Sequence, residues 1–172
     1  MLKYFFLFLF INTLFAKNLT SPIDAMKATY GKESIISKGK IHLTNEKFKK
    51  IQLKTKTKLN TKNYIIYRAK KDGKILGYGL LINKKIHLKN NVILYLISKG
   101  KLKNIEIITY NESQKYIFSK KWQAIFKDKN TNELLQLTQN LPTTTKTTLF
   151  TNSIIEGSRL AFALYNEIIE GN

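Results

Sequence analysis

The stretch from Val92 to Phe126 constrains the fold more than any other part of this chain. Two apolar runs, Val92-Ile93-Leu94-Tyr95-Leu96-Ile97 and Leu102-Lys103-Asn104-Ile105-Glu106-Ile107-Ile108, are joined by Lys99-Gly100-Lys101. So short a link, with a glycine that tolerates positive φ, predicts an antiparallel hairpin. Tyr110-Asn111-Glu112-Ser113 leaves the hairpin, and Gln114 to Phe126 then carries Phe118, Trp122 and Phe126 at four-residue steps beside Ile117, Lys121, Ala124 and Ile125. That is the period of an amphipathic helix, and it assigns the sole tryptophan to a packed face.

A second hairpin precedes the first. Tyr64 to Ala69 and Ile75 to Ile82 are strand-like, with Lys71-Asp72-Gly73 as the turn. Gly77 and Gly79 lie two apart on one face of the second strand, where another backbone or a flat ring can come close; a bulge or ordinary packing is the commoner reason for such glycines. Upstream, Ser21-Pro22 opens and Gly31 closes a short helix, expected to pack Ile23, Met26 and Tyr30 on the sheet. Another short helix is read over Thr44 to Leu53, after which Lys54-Thr55-Lys56-Thr57-Lys58 alternates like an edge strand. Asn132 to Leu137 is weakly helical, and Pro142 to Thr148 reads as a surface loop or extended strand. Asn152 or Ser153 is then the expected cap of a last helix running to about Ile169, with Ile154, Ile155, Ser158, Phe162, Tyr165 and Ile169 along one side.

At 172 residues, 43% of them hydrophobic, the chain is long enough for one domain with a real core. Lys3, the apolar run Tyr4 to Ile11 and the small Ala16 have the layout of a secretory signal peptide over residues 1–16, an uncleaved anchor being the alternative; either places the rest in the periplasm or elsewhere outside the cytoplasm. With no cysteine, disulfides, thiolate metal sites and cysteine nucleophiles are excluded. The net charge of +19 comes almost wholly from dispersed lysine, which reads either as a solvated surface or as a docking face for an acidic partner or an anionic membrane. Arg68 and Arg159 stand out by their rarity. His42 and His87 each lie between Ile and Leu with no carboxylate cluster nearby, so no metal site is expected. Tyr64, Tyr67, Tyr78 and Tyr95 sit on strands that read as buried, which argues against a base-stacking surface for nucleic acid.

Three segments together, Tyr67 to Tyr78 with its A-x-x-x-G-x-x-x-G spacing, the Gly100 hairpin followed by Glu112-Ser113, and Asn152-Ser153-Ile154-Ile155-Glu156-Gly157-Ser158-Arg159, resemble the FMN-binding domain family of membrane redox complexes and related extracytoplasmic electron-transfer proteins. The resemblance covers roughly residues 60 to 170 and makes residues 17–59 an N-terminal extension to a domain over 60–172. It implies an α+β fold: an antiparallel sheet of two hairpins, packed by the Trp122 helix and a C-terminal helix. It also implies a flavin phosphate near Thr151, Asn152, Ser153, Ile154, Ile155 and Ser158, with Glu112 and Ser113 beside the ring.

The chain departs from the family where the family's Ser-Gly-Ala-Thr should stand. Ile155 falls on the threonine that takes a covalent flavin, and Gly157 on a second threonine. Isoleucine has no oxygen to esterify. The resemblance therefore implies non-covalent FMN and an electron-transfer flavoprotein, without a catalytic residue, that works with a membrane redox complex. The alternative is a flavin-free basic binding or assembly module of the same fold.

Overall fold

The computed structural model describes residues 20–86, 89–109, 120–140 and 145–170. Among them, strands β1 (Ile35–His42), β2 (Asn63–Lys71), β3 (Lys74–Ile86), β4 (Lys89–Ser98) and β5 (Lys101–Thr109) form one antiparallel sheet in chain order. Helix α1 (Pro22–Tyr30) precedes β1, and α2 (Asn45–Thr55) joins β1 to β2. Helices α3 (Lys120–Phe126), α4 (Thr131–Asn140) and α5 (Thr145–Glu170) follow the sheet. The class is α+β, as the sequence implies.

Local chemistry accounts for several boundaries. Ser21 caps α1 by accepting from the Asp24 N–H at 3.1 Å, and Gly31, at φ 105°, ends it with its N–H on the Lys27 carbonyl at 2.9 Å. Thr44 caps α2 in the same way, accepting from Lys47 N–H at 3.2 Å. In the β2–β3 turn Asp72 and Gly73 have φ of 49° and 73°, and in the β4–β5 turn Lys99 and Gly100 have 51° and 68°. Two consecutive left-handed residues match the twist of paired strands, and this fixes both hairpins.

The sheet is covered on both faces, which explains why β4 is apolar at successive positions. Ile93, Tyr95 and Ile97 face the core shared with Ile51 of α2 and with Ile154, Ala161 and Leu164 of α5. Leu94 and Leu96 face the other way, into a smaller cluster with Ala25 and Met26 of α1 and Tyr67 and Ala69 of β2. Phe126 of α3 is buried in the larger cluster, while the side chain of Trp122 lies outside the described residues.

Four expectations change. Ile23 is exposed, and Ala25 takes its place against the sheet. Lys54 and Thr55 complete α2, and Lys56 then turns left-handed, so no strand runs through Lys58; the lysine-bearing edge at this end of the chain is β1, with Lys38 and Lys40 exposed on it, and β5 is the other edge. Thr145 to Thr148 are helical, as the first turn of α5, and Ile169 near its end is exposed. Residues 22–55 are integral to the fold, because β1 pairs with β2 from Ile35↔Lys70 to His42↔Asn63 and both α1 and α2 contribute to the core. Among the described residues no helix is long and apolar enough to cross a membrane, and residues 1–16, expected to be a signal peptide, lie outside them.

Candidate functional site

The segment 151–158, where the resemblance implies a phosphate, lies inside α5. The helix begins at Thr145, so Asn152 and Ser153 are not its cap, and the N–H groups of Thr151, Asn152 and Ser153 each have a helical carbonyl four residues back. Thr151, Ile154, Ile155 and Ser158 are buried, Ser153 is half-buried and Asn152 is exposed. The Ser158 hydroxyl donates to the Ile154 carbonyl at 2.9 Å, and the fully buried Tyr95 hydroxyl donates to the same oxygen at 3.1 Å. Burial holds the Tyr95 phenol far above its ordinary pKa, and the nearby Glu156 carboxylate acts in the same direction. Glu156 itself is exposed and pairs with Lys84 at 2.8 Å.

Gly157 has a packing reason here. A Cβ at this position would stand 2.0 Å from the Tyr95 hydroxyl oxygen, so the tyrosine crosses α5 only because residue 157 has no side chain. A bound phosphate at 151–158 would need free N–H donors or an accessible hydroxyl. The helix interior uses the donors, the Ser158 hydroxyl already donates to the Ile154 carbonyl, and Ile154 and Ile155 have no polar side-chain atom. Only the exposed Asn152 and half-buried Ser153 side chains face outward, so the backbone N–H groups and the Ser158 hydroxyl are not free to hold an FMN phosphate. Glu112 and Ser113 lie outside the described residues.

The glycine pair of β3 is filled from within the chain. The Tyr30 ring lies where a Gly77 Cβ would be, 2.4 Å from that point, and the Met26 Sδ is 2.6 Å from the corresponding point at Gly79. Tyr30 donates its hydroxyl to the Tyr78 carbonyl at 3.2 Å, and burial raises its phenol pKa well above the usual value. The flat ring that these glycines admit is thus a side chain of α1. Tyr64, Tyr67, Tyr78 and Tyr95 are all buried and offer no stacking platform. His42 meets Asn63 through Nδ1 at 2.7 Å, and His87 lies outside the described residues.

Among the described residues, one cavity of about 580 Å³ and a smaller one stand out. The larger opens between the end of α1, the β4–β5 turn region and α3, near Tyr30, Ser98, Asn104 and Gln123. Its Lys103 and Asp128 pair at 2.6 Å, a hydrogen bond that also holds the Asp128 carboxyl below its usual pKa. The smaller, about 340 Å³, lies among the end of α2, the start of α4 and the middle of α5, and Lys54, Lys56 and Arg159 line it. The rarity of Arg159 is a sequence signal for this cavity. The two lysines are missed by sequence reasoning because their alternation with threonine imitates a strand.

The fold and these sites define an α+β protein with a helix-covered antiparallel meander and a lysine-rich surface. No family model matches the chain, and no curated protein or solved structure matches it.

Proposed function

We propose that this chain is a flavin-free, basic binding or assembly module that works outside the cytoplasm at a membrane, docking an acidic partner. The observation that supports this over electron transfer by bound FMN is the burial of Ile155 and Ser158 inside an unbroken helix: the place of the flavin motif is taken by core. The docking face follows from topology. In a meander the β2–β3 and β4–β5 turns share one end of the sheet, and there Lys70, Lys71, Lys74, Lys99 and Lys101 are all exposed. Like charges gathered on short turns attract an anionic surface and speed association, with strong dependence on salt. In this reading the Trp122-bearing helix shares with α5 the closing of one sheet face, for which the burial of Phe126 is the support.

The test is the visible spectrum of the exported protein, followed by titration with FMN. The expected protein is colourless and takes up no flavin, and it is retained on membranes of the exporting cell at low salt but released at high salt. Replacing the five turn lysines by glutamine should abolish that retention. FMN released on denaturation, or bound stoichiometrically on titration, would overturn the reading.

A further inference from the structure

The smaller cavity has the make-up of a ligand site, and it lies among helices rather than at the lysine-bearing turns. We propose that it binds a small organic dianion, a phosphate monoester or dicarboxylate, whose charged group meets Arg159, Lys54 and Lys56 and whose apolar part lies on Phe162. This goes beyond the docking reading and does not depend on it.

Charge is the first support. Of the residues lining the cavity three are cationic and none is acidic. The carboxylates nearby in sequence are already engaged: Glu167 pairs with Lys47 at 2.9 Å and Lys50 at 3.7 Å, and Glu133 accepts from the Asn130 N–H at 2.7 Å. The cavity lining therefore carries charge of one sign, and an entering dianion would meet no carboxylate among the lining residues.

The second support is Arg159 itself. Among the described residues its Nε is buried without a hydrogen-bond partner, a state it shares with Arg68 Nε, and it forms no ion pair; of the two arginines it is Arg159 that lines this cavity. Guanidinium donors are seldom left in this state, because withdrawal from water without a partner is unfavourable; an unmet donor at the wall of a cavity points to a missing acceptor. A planar fork also matches a phosphate or carboxylate in two bonds where a lysine matches in one, so Arg159 sets the orientation and the lysines supply field.

Shape and polarity give the rest. Phe162 and Ala163 supply an apolar wall, while Thr131 and Asn132, the first two residues of α4, add polar side chains at the rim; the N–H groups of Asn132 and Glu133 are themselves capped by Asn130 Oδ1 at 3.0 Å. A volume of about 340 Å³ lies at the small end of the range for small-molecule pockets, too narrow for a folded partner and ample for a substituted phosphate.

The test titrates the full exported chain with phenyl phosphate, inorganic phosphate and benzyl alcohol, following the melting temperature and isothermal heat. Phenyl phosphate should bind saturably and raise the melting temperature, and benzyl alcohol should not. Arg159→Gln should weaken binding by about tenfold or more, the loss expected when a charged hydrogen-bonding partner is removed. Lys54→Gln, at an exposed position that keeps the fold, should weaken it by a smaller factor. Lys70→Gln, which removes the same charge at the distant turns, should leave it nearly unchanged. If Arg159→Gln does not fold, the Lys54→Gln and Lys70→Gln pair decides. Absence of saturable binding, or equal weakening by Lys54→Gln and Lys70→Gln, would overturn the site. Equal affinity for inorganic phosphate would overturn the organic ligand. Because Arg159→Gln and Lys54→Gln leave all five turn lysines intact, loss of binding in them without loss of membrane retention is distinguishable from failure of the docking reading.

Discussion

Gly157→Ala separates helix propensity from packing at the segment that the resemblance aligns with a flavin motif. In an exposed helix interior the change from glycine to alanine stabilises by about 0.8–1 kcal/mol. Here the new Cβ would lie 2.0 Å from the Tyr95 hydroxyl oxygen, 2.8 Å from Cζ and 3.2 Å from Cε2. Tyr95 is fully buried in a close-packed core and has no space into which to retreat. Overpacking of this kind destabilises by about 1–3 kcal/mol, and pushing the hydroxyl aside breaks its bond to the Ile154 carbonyl, a further loss of about 1 kcal/mol. The propensity gain offsets about 1 kcal/mol of this, leaving a net loss of about 1–3 kcal/mol. For a urea slope of about 1–3 kcal/mol/M, a loss near the middle of that range lowers the midpoint by about 1 M. The assay is a urea titration followed by tryptophan fluorescence and circular dichroism. Repeating it in a Tyr95→Phe background removes the 2.0 Å contact while leaving the ring, so Gly157→Ala should then be less damaging by about 1 kcal/mol or more. A raised midpoint in the single variant, or the same loss in both backgrounds, would show that Tyr95 is not what demands glycine.

Ile155→Thr restores the hydroxyl that the family resemblance lacks, but at a buried position; it should lose about 1–3 kcal/mol in the same titration and show no added flavin mass by mass spectrometry. Gly77→Ala expels the Tyr30 ring and with it the bond to the Tyr78 carbonyl, so a loss of about 2–4 kcal/mol is expected, with amide exchange rising first in α1. Burial lifts the Tyr64 phenol from 10.0 to about 12, so the folded chain holds a proton there that the unfolded chain loses. The stabilisation is complete below pH 10 and falls as pH rises towards 12; Tyr64→Phe should flatten the alkaline limb of stability against pH, and an unchanged limb would refute this.

The parts of the fold that were legible in the sequence are those decided within a few residues. Ser21, Pro22 and Gly31 delimit α1 because capping and left-handed termination are local events, and Asp72-Gly73 and Lys99-Gly100 fix two hairpins for the same reason. Strand β1 was not legible, since an edge strand whose residues are mostly exposed has no apolar alternation, and only its partner β2 defines it. The start of α5 was hidden by a threonine-rich run of poor helix propensity. Burial of Phe150 and Thr151 against the core outweighs that propensity and carries the helix back to Thr145.

The candidate site divides along the same line. That Ile155 and Gly157 lack the hydroxyls of the motif they resemble is visible in the sequence. What the structure adds is Tyr95, on a strand far away in the chain, whose hydroxyl leaves no room for a side chain at 157. Once Tyr95 crosses α5, three features become one packing unit: a residue without a side chain at 157, an apolar one at 155, and a carbonyl at Ile154 that accepts from both Tyr95 and Ser158. A threonine at 157 would meet the same oxygen that excludes alanine, and a threonine at 155 would place a hydroxyl among apolar neighbours. Residues 154, 157 and 158 are thus coupled through one tyrosine, and a hydroxyl introduced at 155 or 157 is expected to cost stability. Arg159, one step beyond this unit, lines the cavity on the helical face instead.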